Sequence, residues 1–424
     1  MTRRPWWVAP LALALAWLVS STPAYQRAAQ ALLDAQLNLA WPDGVRDDVA
    51  VVDLDDASMR ALRAQLGPWP YRRDVIAMVA EFLLELGAKA VVIDLPLTTP
   101  RDGDGQLAGT LRHSRRVVLA AQAAGDDAVA HADAPALPPP LGRVLPAHWP
   151  RVESASVATP TPALLTAARA VGVAAPLAEA GHLHRLALLH EVQERGLPSL
   201  PLAALQALDP DAPLRYAEGR LRLGERSWPL DPQGRVLMKL PSRATVPTTS
   251  FVRVGAAALG ITEDGALRRR FAGRTVFVGS SVAAVAKRDA LADTTTLAGA
   301  TSALAAGQVL GAPSRWLDGA LIAIALLPAV ALWRRERPDS ALDTLQPLAA
   351  AGAVWMLSTL ALAAWGVTSH VAAALAVAAA GWLAALCAAR LVRPPPADAL
   401  APATDQASMP AAQKRRPARA GLQF

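Results

Sequence analysis

The chain has 424 residues, of which 53% are hydrophobic and 18% are charged, and its formal net charge is +7. This balance excludes a disordered polyelectrolyte and argues against a wholly soluble protein. The single cysteine, Cys387, excludes an intrachain disulfide framework and zinc sites built from several cysteines. A net positive charge indicates nucleic-acid binding only where basic residues cluster on an accessible domain, so their distribution along the chain matters.

Four apolar stretches predict four membrane-spanning helices, at residues 1–22, 316–333, 346–367 and 371–390. The last three each have the length that a helix needs to cross roughly 30 Å of hydrocarbon. Eight of the twelve tryptophans lie in or beside the four stretches, as expected for side chains that prefer the membrane interface. Buried core helices of a soluble protein would explain three nearly consecutive uncharged stretches less well.

The first stretch has two interpretations. An arginine pair at residues 3–4 and the small residues Ser20 and Ser21 are typical of a signal peptide as well as of a membrane anchor. Pro23 interrupts the small-residue cleavage site, which favours an uncleaved anchor.

The distribution of Lys and Arg predicts the orientation in the membrane. The N-terminus, the segment after the second stretch and the tail at 391–424 are basic, whereas the turn at 366–370 has no Lys or Arg. The positive-inside rule therefore puts both termini in the cytoplasm and residues 23–315 in the periplasm of a bacterium with an inner membrane.

The same topology explains the net charge. The predicted cytoplasmic parts hold eleven of the 42 Lys and Arg residues but five of the 35 Asp and Glu residues, so the exported region is nearly neutral. Nucleic acid is therefore not an expected partner. Anionic membrane lipids are the expected partner of the tail, which we predict to be disordered.

Alternating strand and helix patterns predict an α/β domain with a mostly parallel or mixed sheet in residues 23–315. Strands are predicted at 48–54, 89–95, 116–120, 183–190, 235–240 and 274–278, a hairpin at 214–230, and helices at 75–86, 107–114, 162–171, 198–208 and 298–310. The Ala- and Pro-rich residues 123–163 are predicted to form a long irregular insertion.

Five segments of the exported region match a known family. They are VVDLDDAS at 51–58, GPWPYRR at 67–73, LGAKAVVIDLPLTTP at 86–100, LDPQGRVLMKL at 230–240 and GRTVFVGSS at 273–281. Together they resemble the second type of CHASE domain, an extracellular sensory domain of bacterial receptors. The family order of one span, this domain and usually three further spans also matches, so the resemblance covers residues 1–392. It implies a domain that binds a signal.

The chain departs from the family pattern in two places. The family has an Asp-…-Thr-Pro segment and then a Pro-Gly-…-His-Ala helix start after its VGS motif. Here the corresponding residues are Asp289, residues 293–296, Gly299 and Ala303, without the Thr-Pro or the His. Such receptors also continue into an output domain, whereas residues 391–424 are too short and too biased for one. The resemblance therefore implies that a separate protein partner supplies the cytoplasmic output.

Four carboxylates are candidate ligand-binding residues. Asp53, Asp55, Asp56 and Asp94 follow two strands that we predict to be neighbours, at the edge where α/β sheets bind ligands. Clustered carboxylates could hold Ca²⁺ or Mg²⁺, although helix capping and turn formation are the simpler explanation. The sequence leaves open whether a metal binds and which one.

Two weaker candidates lie elsewhere. Gly279, Ser280 and Ser281 follow another predicted strand and could offer N–H groups to an anion, or form a plain turn. His182 and His184 would share one face of a strand and could bind a transition metal, but no third ligand is evident.

The sequence gives an enzymatic function no positive support, because it has no G-x-S-x-G, H-E-x-x-H, Walker or Cys–His motif. We expect no cofactor. Two functions lead: a membrane-anchored sensor that binds an unknown small-molecule signal or a partner protein, and a structural envelope protein whose exported domain is a docking surface. An exported hydrolase is the least supported alternative.

Overall fold

The computed structural model describes residues 14, 20–123, 144–154, 157–180, 183–192, 194–262, 265–282, 293–311, 314–334 and 341–391.

The described helices, numbered along the chain, are α1 (Pro23–Ala40), α2 (Asp56–Leu66), α3 (Arg73–Glu85), α4 (Asp104–His113), α5 (Pro162–Ala167), α6 (Leu200–Leu208), α7 (Phe251–Ala258), α8 (Gly265–Phe271), α9 (Thr294–Ala305), α10 (Arg315–Arg334), α11 (Ala341–Trp365) and α12 (Val371–Leu391).

The described strands are β1 (Val49–Asp53), β2 (Ala90–Ile93), β3 (Val117–Ala123), β4 (Val152–Glu153), β5 (Val157–Ala158), β6 (Ala170–Ala174), β7 (Ala178–Ala180), β8 (Leu183–Ala187), β9 (Leu189–Val192), β10 (Arg195–Pro198), β11 (Leu214–Ala217), β12 (Arg220–Leu223), β13 (Arg226–Pro229), β14 (Arg235–Met238), β15 (Thr248–Ser250), β16 (Thr275–Gly279) and β17 (Val309–Leu310).

The main sheet has the strand order β15-β1-β16-β2-β3-β6, and all five pairings in this row are parallel. The short strand β5 pairs with β3 in the antiparallel direction, which makes the sheet mixed. This confirms the predicted α/β class with a mostly parallel or mixed sheet.

Two apolar cores cover the two faces of this sheet. Alternate residues of each central strand point to opposite faces, as in β1, where Ala50 and Val52 join one core and Val49 and Val51 the other. Helices α3, α4, α5, α7 and α8 pack on the first face. Helices α6 and α9, the β11-β12-β13 meander and β14 pack on the second. Both faces are thus covered, which explains why the strands read as continuous apolar runs.

The position of β16 corrects one prediction. Asp53 and Asp94 were expected at the ends of neighbouring strands, but β16 lies between β1 and β2 and pairs with both. All five residues of β16 are buried, so this late segment of the chain is suited to the centre of the sheet.

Several local predictions were incomplete. Residues 183–190 form two strands, β8 and β9, rather than one, and residues 214–230 form a three-stranded meander rather than a hairpin. The predicted helix at 162–171 ends at Ala167, and β6 follows it. Residues 124–143 of the predicted insertion lie outside the described residues, and its described part carries β4, β5 and the start of α5.

The C-terminal helices bear apolar surface. Within the described residues, two stretches are long and apolar enough to cross a membrane, Arg315–Leu332 and Leu345–Trp365, whereas the apolar stretch Val371–Cys387 of α12 is shorter. Two of the four predicted spans are therefore supported by length and composition, and most of the first predicted span lies outside the described residues. Ten of the fifteen exposed large apolar side chains in the described chain lie on α10, α11 and α12, which suits a lipid-facing surface.

Helix α1 follows the first predicted span directly and packs against α11 and α12. Its buried Gln36 donates to the hydroxyls of Ser358 and Thr359 on α11, over 3.0 and 3.3 Å. The main sheet begins only at β1, so residues 23–40 belong structurally with the apolar helices.

Candidate functional site

The carboxyl ends of β1, β16 and β2 lie side by side and bring the predicted site residues together. Gly279 ends β16 between the ends of the other two strands. It packs directly against Thr294, the first residue of α9: the Thr294 methyl carbon is 2.6 Å from where a Cβ at position 279 would lie. Glycine is therefore required there by close approach, and the approach holds α9 over this edge.

Asp53, at the end of β1, is bound by the turn that follows β16. Its carboxylate accepts hydrogen bonds from the backbone N–H and the hydroxyl of Ser281, each over 2.7 Å. Partial burial raises the pKa of Asp53, and repulsion by Asp55 and Asp293 adds to the increase, although the Ser281 hydrogen bonds oppose it. The carboxylate of Asp53 is therefore a stronger base in the folded protein than in the unfolded chain.

Asp55 caps helix α2. Its Oδ1 accepts the Ser58 N–H over 2.7 Å and the Ser250 hydroxyl over 3.1 Å, and the two serine hydroxyls lie 2.8 Å apart. Burial alone would raise the pKa of Asp55, but these hydrogen bonds outweigh it, so the pKa lies below its usual value. Ser58 also accepts the Val252 N–H over 3.1 Å, so this network joins the starts of α2 and α7.

Asp94 is buried, with 1% of its surface exposed. Its Oδ2 accepts a hydrogen bond from the Thr294 hydroxyl over 2.8 Å, and Gln122 Nε2 lies 3.5 Å from its Oδ1. Its backbone N–H donates to Val278 and continues the sheet pairing. Asp94 therefore connects the end of β2 to the first turn of α9.

The remaining predicted residues are placed as turn and helix-end groups. Asp56 is exposed in the first turn of α2, where a negative charge suits the helix dipole. The Ser280 hydroxyl donates to the Leu54 carbonyl over 2.7 Å, so it closes the turn. Within the described part of the chain, no group of three or more His, Cys, Asp or Glu side chains is arranged to hold a metal ion.

Residues 293–296, where the chain departs from the family pattern, lie at the carboxyl edge of the main sheet. Asp293 caps α9 by accepting the Thr296 N–H over 2.7 Å and pairs with Arg243 over 2.8 Å. Asp289 lies outside the described residues, as does His182. His184 lies on β8 and lines a separate cavity of about 220 Å³ with Arg243 and Thr296.

One serine–histidine contact lies in the small sheet of β10, β9 and β4. The Ser154 hydroxyl is 3.0 Å from His190 Nδ1. Burial lowers the pKa of His190 to about 4, so the ring is neutral at pH 7. No carboxylate forms an ion pair with this ring among the residues that the structure describes, so the contact lacks the third member of a catalytic triad.

A family model described as CHASE2 domain matches residues 10–333, about three quarters of the chain. The chain belongs to the CHASE2 family. This confirms the resemblance found in the sequence, and CHASE2 domains are extracellular sensory domains of receptors. Neither the curated proteins nor the solved structures contain a match to the chain.

Arg73 of this CHASE2 domain was not among the predicted site residues. It is the first residue of α3 and is fully buried, with Nε 3.6 Å from Asp104 Oδ1 and Nη2 3.4 Å from the Thr99 carbonyl. Burial lowers the pKa of Arg73, while Asp104 opposes the decrease. Arg73 thereby anchors the loop that follows β2, and its place at the end of the matching segment 67–73 could have indicated it.

The network around Asp55 gives a first prediction. Asp55→Ala should lower the free energy of unfolding by about 0.5–2 kcal/mol, because it leaves the Ser58 N–H without its cap. Because the folded pKa of Asp55 is lowered, its stabilisation is present above the unfolded pKa, near 4, and is lost as the pH falls through the folded value. Melting of the full chain in lipid nanodiscs at pH 7 and at pH 3–4 measures both effects. Asp56→Ala is the matched control, and an equal loss in both variants would contradict the capping role.

Asp53 should respond to pH in the opposite sense. Because its folded pKa is raised, the folded state is favoured by protonation, and this contribution is lost as the pH rises through the folded value. Asp53→Asn should therefore melt at or above the wild-type temperature at pH 7, and the difference should vanish in acid. A loss of stability at pH 7 that shrinks in acid would instead show that the Ser281 hydrogen bonds outweigh the cost of the charge.

Proposed function

We propose that this CHASE2 protein is a membrane-anchored sensor. In this proposal, four helices cross the inner membrane, both termini lie in the cytoplasm, and the α/β domain lies in the periplasm. The domain binds an unknown small-molecule signal or a protein partner, and we assign it no catalytic step. Family membership and the apolar surface of α10–α12 support the proposal.

The observation that carries the proposal is a hydrogen-bonded joint between the domain and the turn that links α11 to α12. Gly311, directly after β17, donates its N–H to the Gly366 carbonyl over 2.8 Å and forms a parallel bridge with Val367. The Thr368 hydroxyl donates back to the Gly311 carbonyl over 3.3 Å. Strand β17 is itself paired with β14, so the turn is attached to the domain's own sheet.

A small apolar cluster reinforces this joint. Its buried members come from four elements: Leu37 from α1, Leu183 from β8, Leu310 from β17 and Leu362 from α11. Because two of these elements belong to the domain and two to the apolar helices, a displacement on one side is felt on the other.

Helices α10 and α12 also contact each other near the turn that links α11 to α12. Asp318, in the first turn of α10, accepts the His370 N–H over 2.8 Å and lies 2.7 Å from the His370 ring at the start of α12. A ligand transmits a signal only if it binds two arrangements of such contacts with different affinity. The joint is a place where two arrangements of domain and helices would differ.

Residues 392–424 contribute a basic segment after α12. We propose that this segment contacts anionic lipid headgroups and that a separate cytoplasmic protein provides the response.

The second candidate function is a structural docking protein of the envelope. Hydroxyl groups of the protein itself already donate hydrogen bonds to Asp53, Asp55 and Asp94. Because the carboxylates at this edge are already bound by the protein's own side chains, this observation favours the docking function. A thermal-shift screen of the full chain with metabolites and divalent cations distinguishes the two functions. A sensor is stabilised by RT ln(1 + [L]/Kd), which is about 2.7 kcal/mol at a hundred times Kd.

The topology makes a direct prediction. A reporter inserted after residue 100, in the exposed loop that follows β2, should be active only as an exported fusion. Reporters at Arg337 and at the C-terminus should be active only in the cytoplasm. A cytoplasmic location of residue 100 would overturn the sensor proposal as a whole.

The joint makes another prediction. Gly366 has φ +63°, and an added Cβ would lie 2.5 Å from the Val309 carbonyl oxygen. Gly366→Ala should therefore destabilise the full chain in nanodiscs by about 1–3 kcal/mol and loosen the turn from β17. Gly352→Ala, within α11 where a Cβ meets open space, is the control and should be neutral or stabilising. Equal melting temperatures of the two variants would contradict a stabilising joint.

A further inference from the structure

An apolar crevice lies on the first face of the main sheet, between helices α2, α3 and α7. Its volume is about 350 Å³, and its walls include Leu62 of α2, Met78 of α3 and Phe251 of α7. Gln65 is the one polar side chain among the lining residues, and none of them is charged.

The walls of the crevice are incompletely packed. Ser58 is the only buried residue of α2, so the apolar side chains of this helix are covered only in part. At the mouth, Leu259 is 63% exposed and Ile261 is 72% exposed. Each square ångström of apolar surface left in water costs roughly 25 cal/mol, so filling the crevice is favourable.

We propose that this crevice is a binding site for a small, uncharged, largely apolar molecule that carries one hydrogen-bonding group for Gln65. The volume falls within the range of small-molecule pockets, about 300–1,000 Å³. An ion would lose its hydration without gaining a charged partner among the lining residues.

The crevice adjoins the carboxyl edge through its own walls. Val252 and Phe251 line it at the start of α7, and the Val252 N–H is bound by Ser58 of α2. The two helices are thus fastened together at the Asp55 end. That a molecule bound here is the signal rests on the proposed sensory function, whereas the binding itself does not.

The test uses 4-butylphenol as a probe and the full chain in lipid nanodiscs, with empty nanodiscs as the blank for partition into lipid. Gly255 lies on α7 and lines the crevice, and an added Cβ there meets open space. Gly255→Leu should fill the crevice and weaken saturable probe binding by roughly tenfold or more. Gly109→Leu is the matched control, because Gly109 lies within α4, away from the crevice, and also has open space at its Cβ.

A second measurement is independent of how well the leucine is accommodated. In a Cys387→Ala background, the only thiol is the one that is introduced. The probe should slow maleimide labelling of Ala256→Cys, a lining position, severalfold, and leave labelling of Ala64→Cys, an exposed position on α2 outside the lining, unchanged. Absence of saturable binding to wild type, equal binding to Gly255→Leu, or equal protection of both cysteines would each overturn the site. If the probe binds but leaves the hydrogen-bonded joint between Gly311 and the turn at Gly366 unchanged, the site stands and the result counts against the sensory function.

Discussion

The insertion of β16 between β1 and β2 is the constraint on which the rest of the structure depends. This strand arrives about 180 residues after β2 in the sequence, yet it occupies the centre of the main sheet and is buried along its whole length. Its carboxyl end places Ser281 beside Asp53 and brings Gly279 against Thr294. The chain then continues through α9 and β17 to the apolar helices, so the central strand and the helix joint belong to one continuous segment.

The pKa of each carboxylate at this edge depends on the balance between its burial and its hydrogen-bond donors. A buried or half-buried carboxylate is tolerated only where donors compensate for the lost hydration. Asp55 receives enough donors to lower its pKa, whereas the donors to Asp53 do not offset its burial and its acidic neighbours. The donors are mostly serine and threonine hydroxyls from segments distant in sequence, so the edge fastens together parts of the chain that the sheet alone does not join.

The sequence was informative where burial leaves a local pattern. The apolar runs of β1, β2 and β16 and the helical spacing of α3 predicted these elements correctly, and strand-end position selected Asp53, Asp55 and Asp94. Strand order was not predictable, because apolar runs buried on both faces do not indicate their neighbours. Helix α2 was missed because only three apolar side chains, Met59, Leu62 and Leu66, mark its buried face among polar and small residues. Strand β6 was missed because its first two residues were assigned to the helix predicted at 162–171. The hydroxyl partners were missed for a further reason: a serine carries no signal of which distant carboxylate it will meet.

Helix α9 connects the carboxyl edge to the joint as a rigid element. Its twelve residues span about 18 Å, and nearly all of them are buried in the second core. At one end Thr294 binds Asp94, and at the other the Trp228 indole donates to the Leu304 carbonyl over 2.9 Å. Helix α9 thus lies between the contact of Thr294 with Asp94 and β17, which begins four residues after α9 ends and contacts the turn between α11 and α12 through Gly311.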